Sequence, residues 1–146
     1  MSPALVATAW LEHHPGRPEI RLYALAHHDV TNLCGSRHNL AALQLLPEAR
    51  GERFAKFWAK RARLRGRYRS LIREADRAGR VVDRPLEMST DLVFSAVEAT
   101  MTWSPRSRRA STARTADAVA SAAVRGVLLR PPSPERLREA AQRLKR

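Results

Sequence analysis

Between Arg50 and Gly79, apolar residues recur every three or four positions, and basic residues occupy most of the remaining positions. This spacing is typical of an amphipathic helix and differs from the alternation of a strand. A helix of up to about thirty residues would be roughly 45 Å long, so we expect the other elements to pack along it. The predicted buried stripe is Phe54, Phe57, Trp58, Leu64, Tyr68, Leu71, Ile72 and Ala75.

The rest of the pattern predicts further helices and no strand. Proline and glycine mark the boundaries, because proline biases its predecessor away from the helical region and glycine permits a turn. Ser133-Pro134-Glu135 is a good helix start and predicts a terminal helix. The predicted helices span residues 3–14, 18–34, 85–103 and 115–130, with a short helix leading to Pro47. The expected fold class is therefore all-α.

The helix predicted over 85–103 has more apolar surface than one face requires, because Glu98 is the only charged residue from Leu92 to Trp103. Such a helix is buried on more than one side, which indicates a second surface such as a dimer interface. The helix over 115–130 carries mostly small residues, which would let another helix approach closely.

Length and composition are those of one globular domain: 146 residues, of which 44% are hydrophobic. We expect a domain over 1–130 and a helical tail over 131–146. The sequence has no long uncharged apolar run and no signal-peptide pattern, and its single cysteine, Cys34, excludes an intrachain disulfide. These features predict a cytoplasmic protein without membrane contact.

The formal net charge is +13, with 27 basic residues against 14 acidic ones. One interpretation is binding to nucleic acid or another anionic surface. The other is coding bias, because an arginine- and alanine-rich, lysine-poor chain is what a GC-rich genome produces. Charge alone does not decide between them.

Motifs for catalysis or metal binding are weak. In each of the doublets His13-His14 and His27-His28, the two adjacent side chains point to different faces of a helix and cannot bind one metal ion together. No His-x-x-x-His or Cys-x-x-Cys pair occurs. Neither a Gly-x-Ser-x-Gly elbow nor a phosphate-binding loop is present. We therefore predict no enzyme, no metal and no cofactor.

The order of these elements resembles the C-terminal domain of TetR-type transcriptional regulators over nearly the whole chain. Leu46-Pro47-Glu48 precedes the aromatic cluster of the long helix, Gly79-Arg80 leads into a short connector, and an apolar helix ends at Trp103. The upstream segment from Leu22 to Leu46 also fits the family. No single motif is diagnostic, and the match depends on the order and spacing of the elements.

The resemblance implies an all-helical homodimer joined by a four-helix bundle, to which each subunit contributes the helices over 85–103 and 115–130. It also implies a cavity for a small apolar or amphipathic effector between the helices of each subunit. The implied cavity residues are Leu25, Asp29, Phe57, Trp58, Arg61, Leu64, Tyr68, Val93, Val97 and Met101, with Leu22 and Ala26 as further candidates. The implied dimer residues are Leu92, Ala96, Met101, Val119, Ala120, Ala123 and Val127.

Asp29 and Arg61 stand out because each interrupts an apolar stripe. One interpretation is a polar group that fixes a ligand; the other is that the two side chains pair with each other or extend to water.

The sequence departs from the family in one respect. TetR-type regulators begin with a helix-turn-helix module that places a recognition helix in the major groove, and no such segment precedes Met1. We therefore expect DNA contact only through a module that this chain lacks. A start-codon error, a truncation or an isolated regulatory domain would each explain its absence. The rival hypothesis is a basic helical protein that binds nucleic acid or a protein partner.

Overall fold

The computed structural model describes residues 3–35, 54–102 and 112–145, and these residues are helical apart from short connections. The predicted short helix before Pro47 lies outside them, as do Trp103, His38 and most of the basic segment over 104–114. The helices are α1 (Pro3–His13), α2 (Pro18–Gly35), α3 (Ala55–Arg77), α4 (Leu86–Ala99), α5 (Thr112–Arg125) and α6 (Pro134–Leu144), with a 3₁₀ turn over Thr100–Thr102 after α4. The all-α prediction is confirmed.

Helix α2, rather than the long helix α3, lies at the centre of the subunit, so the sequence-based choice of the long helix was wrong. Helix α2 packs against each of the five other described helices, most extensively against α5. This central position is not evident from the sequence of α2, because Glu19, Arg21 and Asp29 lower its hydrophobicity although all three are buried. Each of them has a partner. The guanidinium of Arg21, for example, donates to the carbonyl oxygens of Leu11, Glu12 and Gly16.

The predicted stripe of α3 is buried only in its C-terminal half. Tyr68, Leu71, Ile72 and Ala75 are at most 1% exposed. Phe54, Phe57, Trp58 and Leu64 are only partly buried. The second half of the stripe therefore fills the core, whereas the first half is only partly covered.

Helix α3 ends at a glycine, as predicted. Gly79 has φ of +74°, a conformation that L side chains rarely adopt. The Arg80 amide donates to the Ala75 carbonyl at 3.0 Å and the Gly79 amide donates to the Asp76 carbonyl at 2.9 Å. This is the Schellman arrangement, and it turns the chain sharply into the segment after α3.

The segment after α3 pairs with the segment after α5, which the sequence analysis did not predict. Val81 and Leu128 form an isolated antiparallel bridge. The Val82 amide donates to the Val127 carbonyl, and the Leu129 amide donates to the Arg80 carbonyl, both at 2.9 Å. Helix α5 consequently ends at Arg125, five residues before the predicted boundary at 130, and Val127 lies outside the helix.

Helix α6 packs against α2 and α5. Ser133 caps its first turn, because its side chain accepts a hydrogen bond from the Arg136 amide at 3.2 Å. Leu137 is fully buried and Ala141 is nearly so. None of the helices among the described residues is long and apolar enough to cross a membrane.

Candidate functional site: a cavity between three helices

A cavity of about 240 Å³ lies between the C-terminal part of α2, the N-terminal half of α3 and the C-terminal part of α4. It is at the opposite end of these helices from the Val81–Leu128 bridge, because α2 begins, α3 ends and α4 begins at the bridge end. Within the described parts of the chain, its lining residues are Asp29, Asn32, Leu33, Phe57, Lys60, Arg61, Leu64, Phe94, Val97, Glu98 and Met101.

The structure brings six of the ten predicted cavity residues together at this site. They are Asp29, Phe57, Arg61, Leu64, Val97 and Met101. The other four lie outside the lining. Leu25 and Val93 are buried in the core, as are the further candidates Leu22 and Ala26. Tyr68 is buried beside Asp29, and Trp58 stacks edge-on against Phe57 with ring centroids 5.2 Å apart.

Five lining residues were missed, and most of them had a usable signal. Asn32 and Leu33 follow Asp29 by three and four positions, so they share its helix face. Phe94 precedes Val97 by three positions and Glu98 precedes Met101 by three positions, so each pair also shares a helix face. Lys60 had the same signal, since it lies three positions after Phe57 and four before Leu64, but its charge assigned it to the basic face of α3 in the sequence pattern.

Asp29 is 8% exposed and lies in the wall of the cavity. The Tyr68 hydroxyl donates to Asp29 Oδ2 at 2.6 Å. Burial raises the pKa of Asp29 to about 6, and the Tyr68 hydrogen bond and the charges of Arg67 and Lys60 oppose that rise. Burial, together with the neighbouring carboxylate, also raises the pKa of Tyr68, which therefore remains a donor at neutral pH.

Arg61 pairs with Glu98 and not with Asp29, so of the interpretations open for these two residues, the one in which they pair with each other is wrong. Arg61 Nε donates to Glu98 Oε2 at 2.7 Å and Arg61 Nη2 donates to Oε1 at 2.6 Å. The guanidinium also lies 5.1 Å from the centroid of the Phe94 ring. This two-bond geometry fixes both side chains and joins α3 to α4 across the cavity. The Glu98 hydrogen bond is the main cause that raises the pKa of Arg61.

The residues predicted for the dimer interface fall into two groups. Leu92 is exposed, and Ala96, Met101, Val119 and Ala123 are partly exposed. Ala120 and Val127 are buried inside the subunit. Helix α4 has an outward stripe, which we call the outer stripe, made of Met88, Leu92, Ser95, Ala96 and Ala99.

A second polar cluster lies between α2, α5 and α6. Asp117 accepts a hydrogen bond from the Tyr23 hydroxyl at 2.9 Å and lies 3.3 Å from His27 Nε2 and 3.5 Å from Arg138 Nε. Among the described residues, no group of three histidine, cysteine or acidic side chains is placed to hold a metal ion. Cys34 is half-buried and takes part in no disulfide.

This all-helical fold matches a known class of regulatory domain. The family described as "Tetracyclin repressor-like, C-terminal domain" matches residues 15–127. The chain therefore belongs to that family and is a domain of the TetR type of transcription regulator.

Among solved structures, the fold is similar to the crystal structure of Mycobacterium smegmatis AmtR, with a TM-score of 0.70 and 34% sequence identity. The match covers 97% of this chain and 68% of that protein. No curated protein sequence matches the chain.

Proposed function

We propose that this chain is the effector-sensing and dimerisation domain of a TetR-type regulator, and that its cavity binds a small apolar or amphipathic effector. The observation that carries this proposal is the double role of α4. On one face, Phe94, Val97 and Glu98 line the cavity, whereas on the other face Leu92 and Ala96 belong to the outer stripe. A ligand that contacts the inner face is therefore one helix diameter from the proposed dimer interface.

The mechanism follows from this arrangement. An effector that binds one conformation of α4 more tightly than another shifts the population toward the first. In a two-fold dimer, a shift of α4 changes the relation between the two subunits and so the spacing of any DNA-binding modules attached to them. Effector affinity and operator affinity are then coupled by the same free energy in both directions.

The rival hypothesis of a nucleic-acid binder receives less support. Four arginines of α3 pair with carboxylates: Arg61 with Glu98, Arg65 with Glu87 and Asp91, Arg67 with Glu12, and Arg69 with Glu87. Tyr68 is buried and cannot stack on a base.

The first test combines light scattering with thermal unfolding in the presence of four ligands that share a benzene ring: toluene, benzylamine, benzoate and benzamide. We expect a dimer, and we expect at least one ligand to raise the midpoint of unfolding, since a ligand at one hundred times its Kd stabilises the folded state by about 2.7 kcal/mol. A monomer that none of the four stabilises would contradict the proposal.

A cavity-filling variant locates the binding site. Leu64 lines the cavity, and Leu64→Trp would occupy much of its volume. We expect this variant to fold and to lose the ligand-induced shift in the midpoint. Ala62→Trp is the matched control, because Ala62 is exposed on the same helix and the shift should survive there.

A further inference from the structure

The Asp29 carboxylate retains hydrogen-bonding capacity toward the cavity. Its Oδ2 atom accepts from Tyr68, and no other described residue donates to the carboxylate. An ionised carboxylate has about four acceptor positions, so several remain unused. The unused positions are not fully enclosed by the protein, so a donor on a ligand in the cavity can reach them.

The other charged groups that line the cavity differ in whether they can still form a hydrogen bond to a ligand. Arg61 and Glu98 satisfy each other through two hydrogen bonds, so their charges are already neutralised. Lys60 also lines the cavity, and its ammonium group forms no ion pair with a described residue. Among the charged groups of the described lining, Asp29 thus offers an acceptor and Lys60 a donor; the neutral amide of Asn32 also lines the cavity, and its Nδ2 lies 3.0 Å from His28 Nε2.

The size and the apolar wall restrict the ligand further. A dry cavity of about 150 Å³ holds benzene, and drug-sized ligands need roughly 300–1,000 Å³. At about 240 Å³, the cavity has room for one ring and a small head group. Leu33, Phe57, Leu64, Val97 and Met101 supply the apolar contacts.

We infer that the cavity selects a compact apolar molecule whose neutral head group donates an N–H to Asp29 and accepts a hydrogen bond from Lys60; a primary amide is the simplest head group of this kind. The inference rests on the proposed function and specifies the chemistry of its ligand. A neutral head group adds no charge beside the negative Asp29 or the positive Lys60. An amine would add a charge beside Lys60, and a carboxylate would add a charge beside Asp29.

The test compares the same four benzene-ring ligands by calorimetric titration at pH 7.5. We expect benzamide to bind most tightly and about tenfold more tightly than benzoate, which corresponds to roughly one hydrogen bond. If toluene or benzoate binds as well as benzamide or better, the proposed cavity stands and the inferred head group is wrong. If none of the four binds, the inferred head group is wrong; the proposed function fails only if the chain is in addition a monomer by light scattering.

An Asp29→Asn variant gives a sharper result than a loss of affinity. Its carbonyl oxygen can still accept from the Tyr68 hydroxyl, and its amide group would then face the cavity as a donor. The acceptor in the wall would thereby become a donor. We expect the preference to move from benzamide toward benzoate, an inversion that general destabilisation would not produce.

Two more variants complete the design. Asp76→Asn makes the same chemical change at an exposed position on α3 and should leave the ligand order unchanged. Lys60→Met removes the donor but keeps a long side chain, and it should remove the advantage of benzamide over benzylamine. If the order is unaltered in both Asp29→Asn and Lys60→Met, the inference is overturned.

Discussion

At the residue scale, the buried Asp29 carboxyl links stability to pH. Its pKa in the folded protein is about 6, against an ordinary value of 3.8, because burial disfavours the charged form. The protonated form is therefore stabilised by folding. This contribution is fully present below about pH 4 and is lost as the pH rises through about 6.

We predict that Asp29→Asn removes this pH dependence. Between about pH 4 and pH 7, the free energy of unfolding of the natural chain should fall, relative to the variant, by on the order of 3 kcal/mol. Urea unfolding of both proteins across this range measures the difference. Parallel pH profiles would show that the carboxyl titrates at its ordinary value in the folded protein.

The pair of Arg61 and Glu98 gives a second prediction. Their side chains are 32% and 15% exposed, so solvent screens the pair only in part. We expect a coupling energy of about 1–2 kcal/mol from a double-mutant cycle with Arg61→Met and Glu98→Gln. The exposed pair of Arg65 and Asp91 is the control and should give less than about 1 kcal/mol. Equal coupling energies for the two pairs would show that the cavity wall does not strengthen the interaction.

Sequence reasoning identified Asp29 and Arg61 but not their partners, for a physical reason. Both residues interrupt apolar stripes, and that signal is local. Tyr68 lies 39 positions from Asp29, and Glu98 lies 37 positions from Arg61. Which side chains meet across such separations depends on how the helices cross, and the helical period carries no information about that.

At the scale of elements, most helix boundaries could be predicted from the sequence, but which helix lies at the centre of the fold could not. The start of α2 at Pro18 and the end of α3 before Gly79 follow from local backbone preferences. The central position of α2 depends on hydrogen-bond and ion-pair partners for its buried polar side chains. Those partners lie on other parts of the chain, outside α2. The early end of α5 likewise depends on pairing with the distant segment around Val81.

Helix α6 provides a prediction at this scale. Its Leu137 is fully buried, although the sequence assigned residues 131–146 to a tail outside the domain. If α6 belongs to the cooperative core, Leu137→Ala should lower the free energy of unfolding by about 2–5 kcal/mol. Leu129→Ala is the matched control: this leucine is 56% exposed, and its loss should cost less than about 1 kcal/mol. A small effect at Leu137 would indicate an independently frayed tail.

At the scale of the whole molecule, the subunit has two different ends. The Schellman turn and the Val81–Leu128 bridge join α3 and α5 at one end. The cavity lies at the other, where the first half of α3 is only partly buried. The proposed ligand site is therefore at the end where the described part of α3 is less buried, which agrees with the tendency of moving elements to come from regions of low local stability.

The outer stripe of α4 gives the last prediction. Met88 and Leu92 are 53% and 49% exposed in the single subunit. In a two-fold dimer the same stripe would meet its own copy, and a stable interface needs roughly 1,200 Å² or more of total buried surface. We predict that Leu92→Glu places two unpaired carboxylates in this interface and converts the dimer to a monomer, as measured by light scattering.

Leu129→Glu makes the same substitution at an equally exposed leucine near the bridge end and should remain a dimer. The comparison separates a specific interface from a general effect of added charge, because both variants change the net charge equally. If both variants dimerise, the subunits associate through another surface and the outer stripe has a different role. If Leu92→Glu alone is monomeric and its cavity still binds ligand, sensing belongs to the single subunit and dimerisation is the step that transmits it.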